Sequence, residues 1–498
     1  MHHLPLQTLL LLGAFGGLVI VLWAFSNWRL AVKIAFVVLL FEGAIRKWGF
    51  PSGQELVYFL KDIFLAGAYL KFFLFPDPEL RSKRLNLSAW PVTMLCMVVV
   101  LAGLNPNIGS VFLALYGIKV YLYYIPLAFM MPYLFRSERE MVRNLCWYAV
   151  LALPICALGF LQYRAGPGSW LNVYSNTGTD TVATTFGYGE EVRITGTFSY
   201  LTGHTTFVVF FTALHIALLM GEVSKFFWWV MLLDIPLLLA NAFMGGSRAS
   251  IACNVLLVVV FAVASVFTKL TTRKNAIFIL AGSVTVALFG AGFFFVSAME
   301  HWKTRFESSD TMTQRVYELP VASLQRAISD SGITGYGIGM THPAVDKLRG
   351  VLQVPMPRYK APVFDSEAGQ VTAELGILGA LAWYGLRIFA LWQCFKSFTQ
   401  CPPGTLRTVM LAATLVQIPH FVMSVVFNHI ANFLIFAAWG LCLIPYLRTI
   451  RQSRPVLANS KVRSQFTAPV SVSRLGRSSG GDSTKEPDKL VPTVQVDE

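Results

Sequence analysis

Apolar stretches of about twenty residues recur along most of the chain and restrict its fold more than any other feature. A helix needs ~20 mostly apolar residues to cross ~30 Å of hydrocarbon. We therefore predict an all-α, polytopic membrane protein with about twelve or thirteen transmembrane helices. They are expected at 5–25, 29–45, 55–75, 89–105, 108–133, 141–163, 198–220, 224–243, 249–269, 275–298, 367–396, 407–426 and 430–448.

The composition agrees with a membrane protein and excludes several other classes. Hydrophobic residues make up 55% of the chain and charged residues 13%, whereas about a quarter of a soluble domain is charged. The seven cysteines form no CxxC pair, so we expect neither a disulfide framework nor a metal site. The net charge of +14 comes from short basic loops between the apolar stretches, which indicates membrane topology rather than nucleic-acid binding.

The basic loops alternate along the chain and predict its sidedness, because cytoplasmic loops are enriched in Lys and Arg. The insertions 164–197 and 299–366 then lie together on the external face, and the apolar spacing of Val316, Leu319 and Leu324 predicts a small folded subdomain in the second one. Residues 1–450 form the membrane domain, and 451–498, rich in Ser, Pro, Lys and Arg, is predicted to be a disordered cytoplasmic tail. The predicted cytoplasmic junctions contain Arg81, Lys83 and Arg84; Arg136, Arg139 and Arg143; Lys269, Arg273 and Lys274; and Lys396 and Arg407.

Two arginines lie next to glycine-containing turns at predicted external junctions. Arg193 begins the segment Arg-Ile-Thr-Gly-Thr-Phe-Ser, and Arg248 lies in Gly-Gly-Ser-Arg-Ala-Ser. A guanidinium binds phosphate bidentately, and small neighbours let backbone N–H groups approach an anion. The pattern favours a shared diphosphate site, with two snorkelling interfacial arginines as the alternative.

The large external insertion and the helix after it contain the other candidate residues. Arg305 and Arg315 precede the turn Gly-Tyr-Gly-Ile-Gly, and Asp365 and Glu367 stand where an apolar helix begins, with Glu374 about two turns further along. Carboxylates at such a depth are usually paired or functional. In the alternative interpretation, Asp365 caps the helix and Glu367 is a first-turn acid that the helix dipole stabilises.

The order of these motifs resembles the O-antigen ligase and O-antigen polymerase superfamily of bacterial envelope glycan enzymes. The resemblance extends over about 190–445 and rests on Arg-x-Thr-Gly-Thr-Phe, Gly-Ser-Arg-Ala, the Gly-Tyr-Gly-Ile-Gly turn and Asp-Ser-Glu-x(6)-Glu-Leu-Gly-Ile-Leu-Gly. Two further segments resemble a polysaccharide-polymerase branch: Phe-Glu-Gly-Ala-Ile-Arg-Lys-Trp at 41–48, with Lys61-Asp62, and Phe-Asn-His at 427–429.

The resemblance implies a glycosyltransferase of GT-C-like architecture in the bacterial inner membrane. It would polymerise or ligate a glycan from an undecaprenyl diphosphate donor onto a glycan or lipid acceptor at the external face, without metal or cofactor. By position, Arg193 and Arg248 match the family's phosphate-binding arginines, and Arg315 matches a further loop arginine. Arg305 is an additional candidate for binding the diphosphate. The bilayer and other polysaccharide-assembly proteins are the remaining implied partners.

The chain departs from the family at the residue expected to activate the acceptor. Asp365-Ser366 occupies the position where the family has a histidine followed by Asn or Ser. A carboxylate can act as a general base when burial raises its pKa. We therefore rank Glu367 first, Asp365 second and His429 third as the catalytic residue.

Two other functions remain compatible with the sequence. A transporter or flippase of an anionic lipid or sugar would also need arginines in a cavity, but transport needs charged groups that can be reached from both faces. A non-catalytic assembly subunit of an exopolysaccharide machine would tolerate the missing histidine.

Overall fold

The computed structural model describes residues 6–78, 90–174, 192–270, 319–362, 364 and 366–445, with isolated positions 185, 281, 282 and 285. These residues fold into helices joined by short turns and contain no β-strand. The helices are α1 (Leu6–Ser26), α2 (Trp28–Ala44), α3 (Gln54–Tyr58), α4 (Leu60–Tyr69), α5 (Trp90–Gly103), α6 (Val111–Leu122), α7 (Ile125–Leu134), α8 (Glu138–Val150), α9 (Ala152–Arg164), α10 (Leu201–Met220), α11 (Lys225–Met244), α12 (Arg248–Phe267), α13 (Leu319–Ser331), α14 (Pro343–Val351), α15 (Glu367–Gln400), α16 (Thr405–Leu415) and α17 (His429–Cys442).

The prediction of an all-α, polytopic membrane protein is confirmed. Within the described ranges, five helical stretches have the length and apolarity to cross a bilayer, and α6 with α7, bent by 47°, raises the number to six. Three shorter apolar helices lie at Gly13–Ser26, Trp90–Gly103 and His429–Cys442. The predicted span 275–298, apart from the isolated positions 281, 282 and 285, and the predicted tail 451–498 lie outside the described residues.

Helix α10 is the centre of the bundle, and α12 lies at its periphery. Nearly every side chain of α10 is buried, including the polar His204, Thr212 and His215. Helix α12 instead exposes Val255 and Val259 along one face. A helix that is apolar on every face can pack in the protein core or face the lipid. Helices α10 and α12 can therefore have similar apolar compositions, although one is central and the other peripheral.

The predicted span 367–396 is two helices rather than one. Sixteen residues of straight helix would separate Glu367 from Trp383 by ~24 Å, yet the Trp383 indole N–H donates a hydrogen bond to Glu367 over 3.0 Å. The chain reverses at Gly376, whose φ of 71° and ψ of −176° interrupt the helix. Glycine adopts this left-handed φ without a Cβ penalty. We call the two halves, 367–375 and 377–400, the α15 hairpin.

The predicted span 407–426 is also shorter than expected. Helix α16 ends at Leu415 and a 3₁₀ turn follows at Pro419–Phe421. Pro419 has no N–H to continue the helical hydrogen bonds, and the Gln417 side chain instead donates to the Ile435 carbonyl over 3.0 Å. The segment 416–428 therefore continues from α16 to the beginning of α17 as an irregular chain apart from this 3₁₀ turn.

Two sets of side-chain contacts mark the two ends of the bundle. At one end Lys33 lies 2.6 Å from Glu140. At the other, which we call the loop end, Arg46 donates to Ser199 over 2.9 Å and Asn105 donates to the Gly335 carbonyl over 3.1 Å. The loop end is the end that the Lys/Arg pattern predicts to be external, and its sidedness remains a prediction.

Candidate active site

The C-terminal end of α2 packs directly on the segment 195–199. A Cβ on Gly43 would lie 2.4 Å from the Ser199 backbone nitrogen, so only glycine permits this approach. Beyond it, Lys47 donates to Thr195 Oγ1 over 3.1 Å and to the Gly196 carbonyl over 2.7 Å. These contacts join the Phe-Glu-Gly-Ala-Ile-Arg-Lys-Trp motif to the segment that begins with Arg193.

Charged side chains gather beside this junction, although they come from separate parts of the chain: α2 with the π-helical turn Ile45–Gly49 that follows it, α4 and α6. Lys61 lies 2.7 Å from Glu42, and Lys119 lies 2.9 Å from Asp62. We call Glu42, Arg46, Lys47, Lys61, Asp62 and Lys119 the cationic cluster. Four of these side chains are basic and two acidic, which leaves a formal excess of two positive charges. Such an excess favours an anionic ligand.

The ring of Tyr58 lies at the middle of the basic side chains. Arg46, Lys61 and Lys119 each place their cationic group within 5.3 Å of its centroid. Cation–π attraction stabilises a positive charge near an aromatic face. Tyr58 therefore helps to hold three like charges close together.

His429 belongs to the same cluster. Its Nε2 lies 3.5 Å from Glu42 Oε1, and its ring meets that of Tyr58 edge-on at 5.0 Å. It is the first residue of α17, whose N-terminus is capped by Asn428. The imidazole keeps 21% of its side-chain surface exposed. A substrate can therefore approach His429, which the sequence ranked third as the catalytic residue.

A second histidine lies nearby but is a weaker base. The Tyr116 hydroxyl is 3.3 Å from His342 Nε2. Burial, followed by the nearby charges of Lys119 and His429, lowers the pKa of His342 to about 3. The ring of His342 is therefore neutral at physiological pH.

The two candidate arginines lie on segments that contact each other. Arg193 Nε donates to the Gly245 carbonyl over 3.1 Å, and the Ile194 N–H donates to the Met244 carbonyl over 3.3 Å. Arg248 is the first residue of α12 and follows directly on the turn that contains Gly245. The segment 193–199 thus contacts the turn before Arg248 at one end and the cationic cluster at the other.

Glu367 is placed differently from what the sequence predicted. It is 97% buried, and Oε1 accepts from Trp383 Nε1 and from Arg387 Nη1, each at 3.0 Å. Oε2 accepts from the backbone N–H groups of Val425 and Val426. Both oxygens are therefore occupied within the protein. The cap of this helix is Ser366, whose hydroxyl accepts from the Gly369 N–H, rather than Asp365.

Glu374 and the glycine turn together stabilise the tip of the α15 hairpin. The carboxylate accepts from the Tyr121 hydroxyl, from the Thr341 hydroxyl and N–H, and from the Gly339 N–H, all within 2.9 Å. The Tyr336 and Gly337 N–H groups donate to the carbonyls of Ala373 and Glu374, just before the reversal. Glu374 is thus held by four hydrogen bonds from uncharged groups.

Three predicted site residues, Asp365, Arg305 and Arg315, lie outside the described residues. Two members of the site, Tyr58 and Lys119, were missed by the sequence analysis. A lone lysine within an apolar helix is a signal that could have indicated Lys119. Where the structure describes the chain, it shows no group of three or more His, Cys, Asp or Glu side chains able to hold a metal ion.

Comparison with known proteins identifies part of the chain. Residues 233–384, which extend from α11 to the second half of the α15 hairpin, match the family model described as O-antigen ligase. A search of curated proteins finds no significant match. The family match and the apolar helices support a multi-pass protein of the bacterial inner membrane that acts in glycan ligation. The resemblance inferred from the sequence is thereby confirmed: residues 233–384 are similar to the O-antigen ligase family.

Proposed function

We propose that the protein transfers a glycan from an undecaprenyl diphosphate donor to an acceptor hydroxyl at the loop end, on the external face of the membrane. The observation that carries this proposal is the continuous contact through the segment 193–199. That segment touches the turn before Arg248 at one end and the cationic cluster at the other. Polymerase and ligase reactions both need these two neighbouring regions, one for the leaving diphosphate and one for the acceptor.

Arg193 and Arg248 are proposed to bind the donor diphosphate. As the bond between the anomeric carbon and the phosphate oxygen breaks, negative charge builds on the diphosphate, and guanidinium groups stabilise it. Lys47 lies next to the same segment, but burial lowers its pKa to about 7, so it is only partly charged at neutral pH. Arg315 and Arg305 remain candidates for further contacts with the phosphates or the glycan.

His429 is the proposed general base, in place of the first-ranked Glu367. In the transfer step, the acceptor oxygen attacks the anomeric carbon while its proton passes to the imidazole, and the diphosphate leaves with the bonding electron pair. Glu42 faces His429 Nε2 and would stabilise the imidazolium that forms, leaving Nδ1 to accept the proton. Glu367 is a less suitable base because both of its oxygens accept hydrogen bonds within the protein, and Asp365 stays the second alternative.

A buried ionisable pair provides the one specific argument for transport. His215 Nε2 lies 2.8 Å from Asp234 Oδ2, and both residues are fully buried between α10 and α11. Pairs of this kind occur in proton relays of transporters. The pair lies apart from the loop end, however, and the candidate arginines and the cationic cluster lie at one end of the bundle only.

Reconstitution into vesicles with a purified lipid-linked glycan donor separates the three functions. A glycosyltransferase produces longer or newly linked glycans, a flippase changes only the leaflet in which the donor is found, and an assembly subunit binds the donor without doing either. We expect new linkages that depend on Arg248 and His429. Movement of the donor without any new linkage would contradict the proposal.

A further inference from the structure

The side chain of Gln162, in the last turn of α9, is fully buried against the segment 193–199. Its Oε1 accepts from the Thr195 N–H over 3.2 Å and from the Gly196 N–H over 2.7 Å. Its Nε2 donates to the Gly196 carbonyl over 3.1 Å and to the Leu171 carbonyl over 2.9 Å. A side-chain amide has two donor hydrogens and an oxygen with two lone pairs. Gln162 therefore uses its full capacity for hydrogen bonding on the backbone of neighbouring segments.

The contacts of Gln162 converge on Gly196. The carbonyl of this glycine also accepts from Lys47 Nζ over 2.7 Å. Its φ of 55° is left-handed, and a Cβ there would lie 2.8 Å from His204 Nδ1. Side chains from α9 and from the turn after α2 therefore fix both the N–H and the carbonyl of a residue that only glycine can occupy without strain.

Gln162 is itself held in place by the turn that follows α9. Asn172 Nδ2 donates to the backbone carbonyl of Gln162 over 2.9 Å and to the Gly166 carbonyl over 2.6 Å. The turn is thereby folded back against α9, where its Leu171 carbonyl accepts from Gln162. A side chain whose own position is locked by hydrogen bonds and packing can hold a neighbouring group accurately.

Arg193 lies two residues before Thr195 and is held from its other side by the turn that precedes α12. Its Nε donates to the Gly245 carbonyl over 3.1 Å. Two residues of chain span at most ~7 Å. A change in the backbone at Thr195 therefore shifts Arg193 relative to the turn before Arg248.

We propose that Gln162 is a positioning residue for the donor diphosphate, an inference that rests on the proposed function. By holding the backbone at Thr195 and Gly196, it keeps Arg193 beside Arg248, so that both guanidinium groups reach one diphosphate. Gln162 acts through Arg193 and does not touch the substrate. Its four side-chain hydrogen bonds go to Thr195, Gly196 and Leu171, so the acceptor side of the reaction should not depend on it directly.

Gln162→Met tests the role, because methionine has a similar length and makes none of the four hydrogen bonds. The full chain is placed in vesicles, and retention of radiolabelled undecaprenyl diphosphate is measured. We expect the affinity to fall about 10–100-fold, and the KM for the lipid-linked donor to rise with no change in the KM for the acceptor. A variant that merely folds less well would lower the apparent kcat and leave both KM values unchanged. Wild-type affinity in the Gln162→Met protein would overturn the proposal.

Gln162→Glu is a milder variant that keeps the test open if methionine prevents folding. It retains an oxygen that accepts from Thr195 and Gly196 but loses donation to at least one of the two carbonyls. Because one hydrogen bond contributes a modest free energy, the affinity for undecaprenyl diphosphate should fall about three- to tenfold. Full affinity in a folded Gln162→Glu protein would likewise contradict the role.

A double-mutant cycle tests whether Gln162 acts through Arg193. In the Arg193→Ala protein, the added change Gln162→Met should weaken diphosphate binding by less than about twofold, because the guanidinium that Gln162 positions is already absent. Gln393→Met, which removes a hydrogen bond of 2.8 Å from the Trp439 indole, is the matched control and should leave the affinity unchanged. Fully additive losses would refute the action through Arg193.

The binding measurement does not depend on catalysis, so the two proposals can be told apart. Binding that is sensitive to Gln162→Met in a protein that makes no new glycan linkage would refute the proposed transfer and retain the role of Gln162 at the diphosphate site. Glycan transfer and donor binding that are both insensitive to Gln162→Met would refute the role of Gln162 alone.

Discussion

The buried contact between Glu367 and Arg387 gives a structural explanation for the glutamate of the Asp-Ser-Glu motif. Their side chains lie 3.0 Å apart, each almost fully buried, at the base of the α15 hairpin. Arg387 also donates to the His420 carbonyl, and Glu367 accepts from Val425 and Val426. The pair therefore holds the segment 416–428 against the α15 hairpin. That segment ends at Asn428, directly before His429, so we expect loss of the pair to displace His429.

A structural role for Glu367 predicts loss of stability rather than loss of a proton acceptor. Glu367→Gln leaves the Arg387 charge buried without a counter-ion and should cost about 3–5 kcal/mol. Thermal unfolding in detergent measures the change. Adding Arg387→Gln should cost less than the sum of the two single changes, because the unpaired charge is then gone. A Glu367→Gln protein as stable as the parent but ~10²–10⁴-fold slower would instead favour the carboxylate as base.

His429 is the proposed general base for the acceptor hydroxyl. His429→Gln should reduce transfer by ~10²–10⁴, while donor binding, followed by retention of a labelled lipid diphosphate, remains. Glu42→Gln should have a smaller effect on transfer, since it removes only the stabilisation of the imidazolium. Arg326→Ala, a change at an exposed position of α13, is the control. Wild-type transfer by the His429→Gln protein would exclude the proposed base.

Unlike most arginines, Arg193 and Arg248 should tolerate replacement by lysine poorly. Their replacement by alanine is expected to reduce donor binding and transfer by orders of magnitude, and lysine should restore little, because a point charge cannot reproduce the bidentate contact. Binding and rate are measured with the lipid-linked donor, and circular dichroism checks the fold. Full transfer by Arg248→Ala would remove this residue from the site.

At the scale of elements, the α15 hairpin depends on one glycine. Gly376 has φ 71°, and a Cβ there would lie 1.8 Å from the Ile333 carbonyl oxygen. Gly376→Ala should therefore lower the melting temperature, with a cost of at least ~1–3 kcal/mol from backbone strain alone. Gly385 on the same helix has nothing within 4 Å of its Cβ position, so Gly385→Ala should be neutral or stabilising. Equal melting temperatures for the two variants would contradict the hairpin.

A comparison of the α15 hairpin with the other long helices shows what the sequence could and could not predict. Helices α10, α11 and α12 begin and end within a few residues of the predicted spans, because each is a single apolar run between polar turns. The run 367–396 is equally continuous in composition, and nothing in hydropathy distinguishes a straight helix from two antiparallel halves. The reversal depends on the left-handed φ of Gly376 and on donors from the distant turn at 336–339.

Prediction of the candidate site was limited for a similar reason. The contact between the segments of Arg193 and Arg248 followed from their places at neighbouring junctions. The cationic cluster, in contrast, joins α2, α4 and α6, and its pairing of Lys61 with Glu42 and of Lys119 with Asp62 requires knowledge of how these helices pack. Motifs identify such residues one at a time, whereas their chemistry depends on the distances between them.

At the scale of the whole molecule, the two ends of the bundle differ in what they can bind. The loop end combines the cationic cluster, His429, the segment of Arg193 and the docked helices α13 and α14. The opposite end contains simple pairs such as Lys33 with Glu140. All proposed chemistry therefore lies at one end, and the side of the membrane on which that end lies decides which glycans the protein can use.

Cysteine labelling decides the sidedness. Ser329 in α13 belongs to the loop end, and Thr399 near the end of α15 belongs to the opposite end; both are exposed. The Lys/Arg pattern predicts that Ser329→Cys reacts with an impermeant maleimide in intact cells and that Thr399→Cys reacts only after permeabilisation. The seven native cysteines are buried or half-buried, so the parent protein provides the background. The reverse pattern would place the site in the cytoplasm, where an external lipid-linked glycan cannot reach Arg193 and His429.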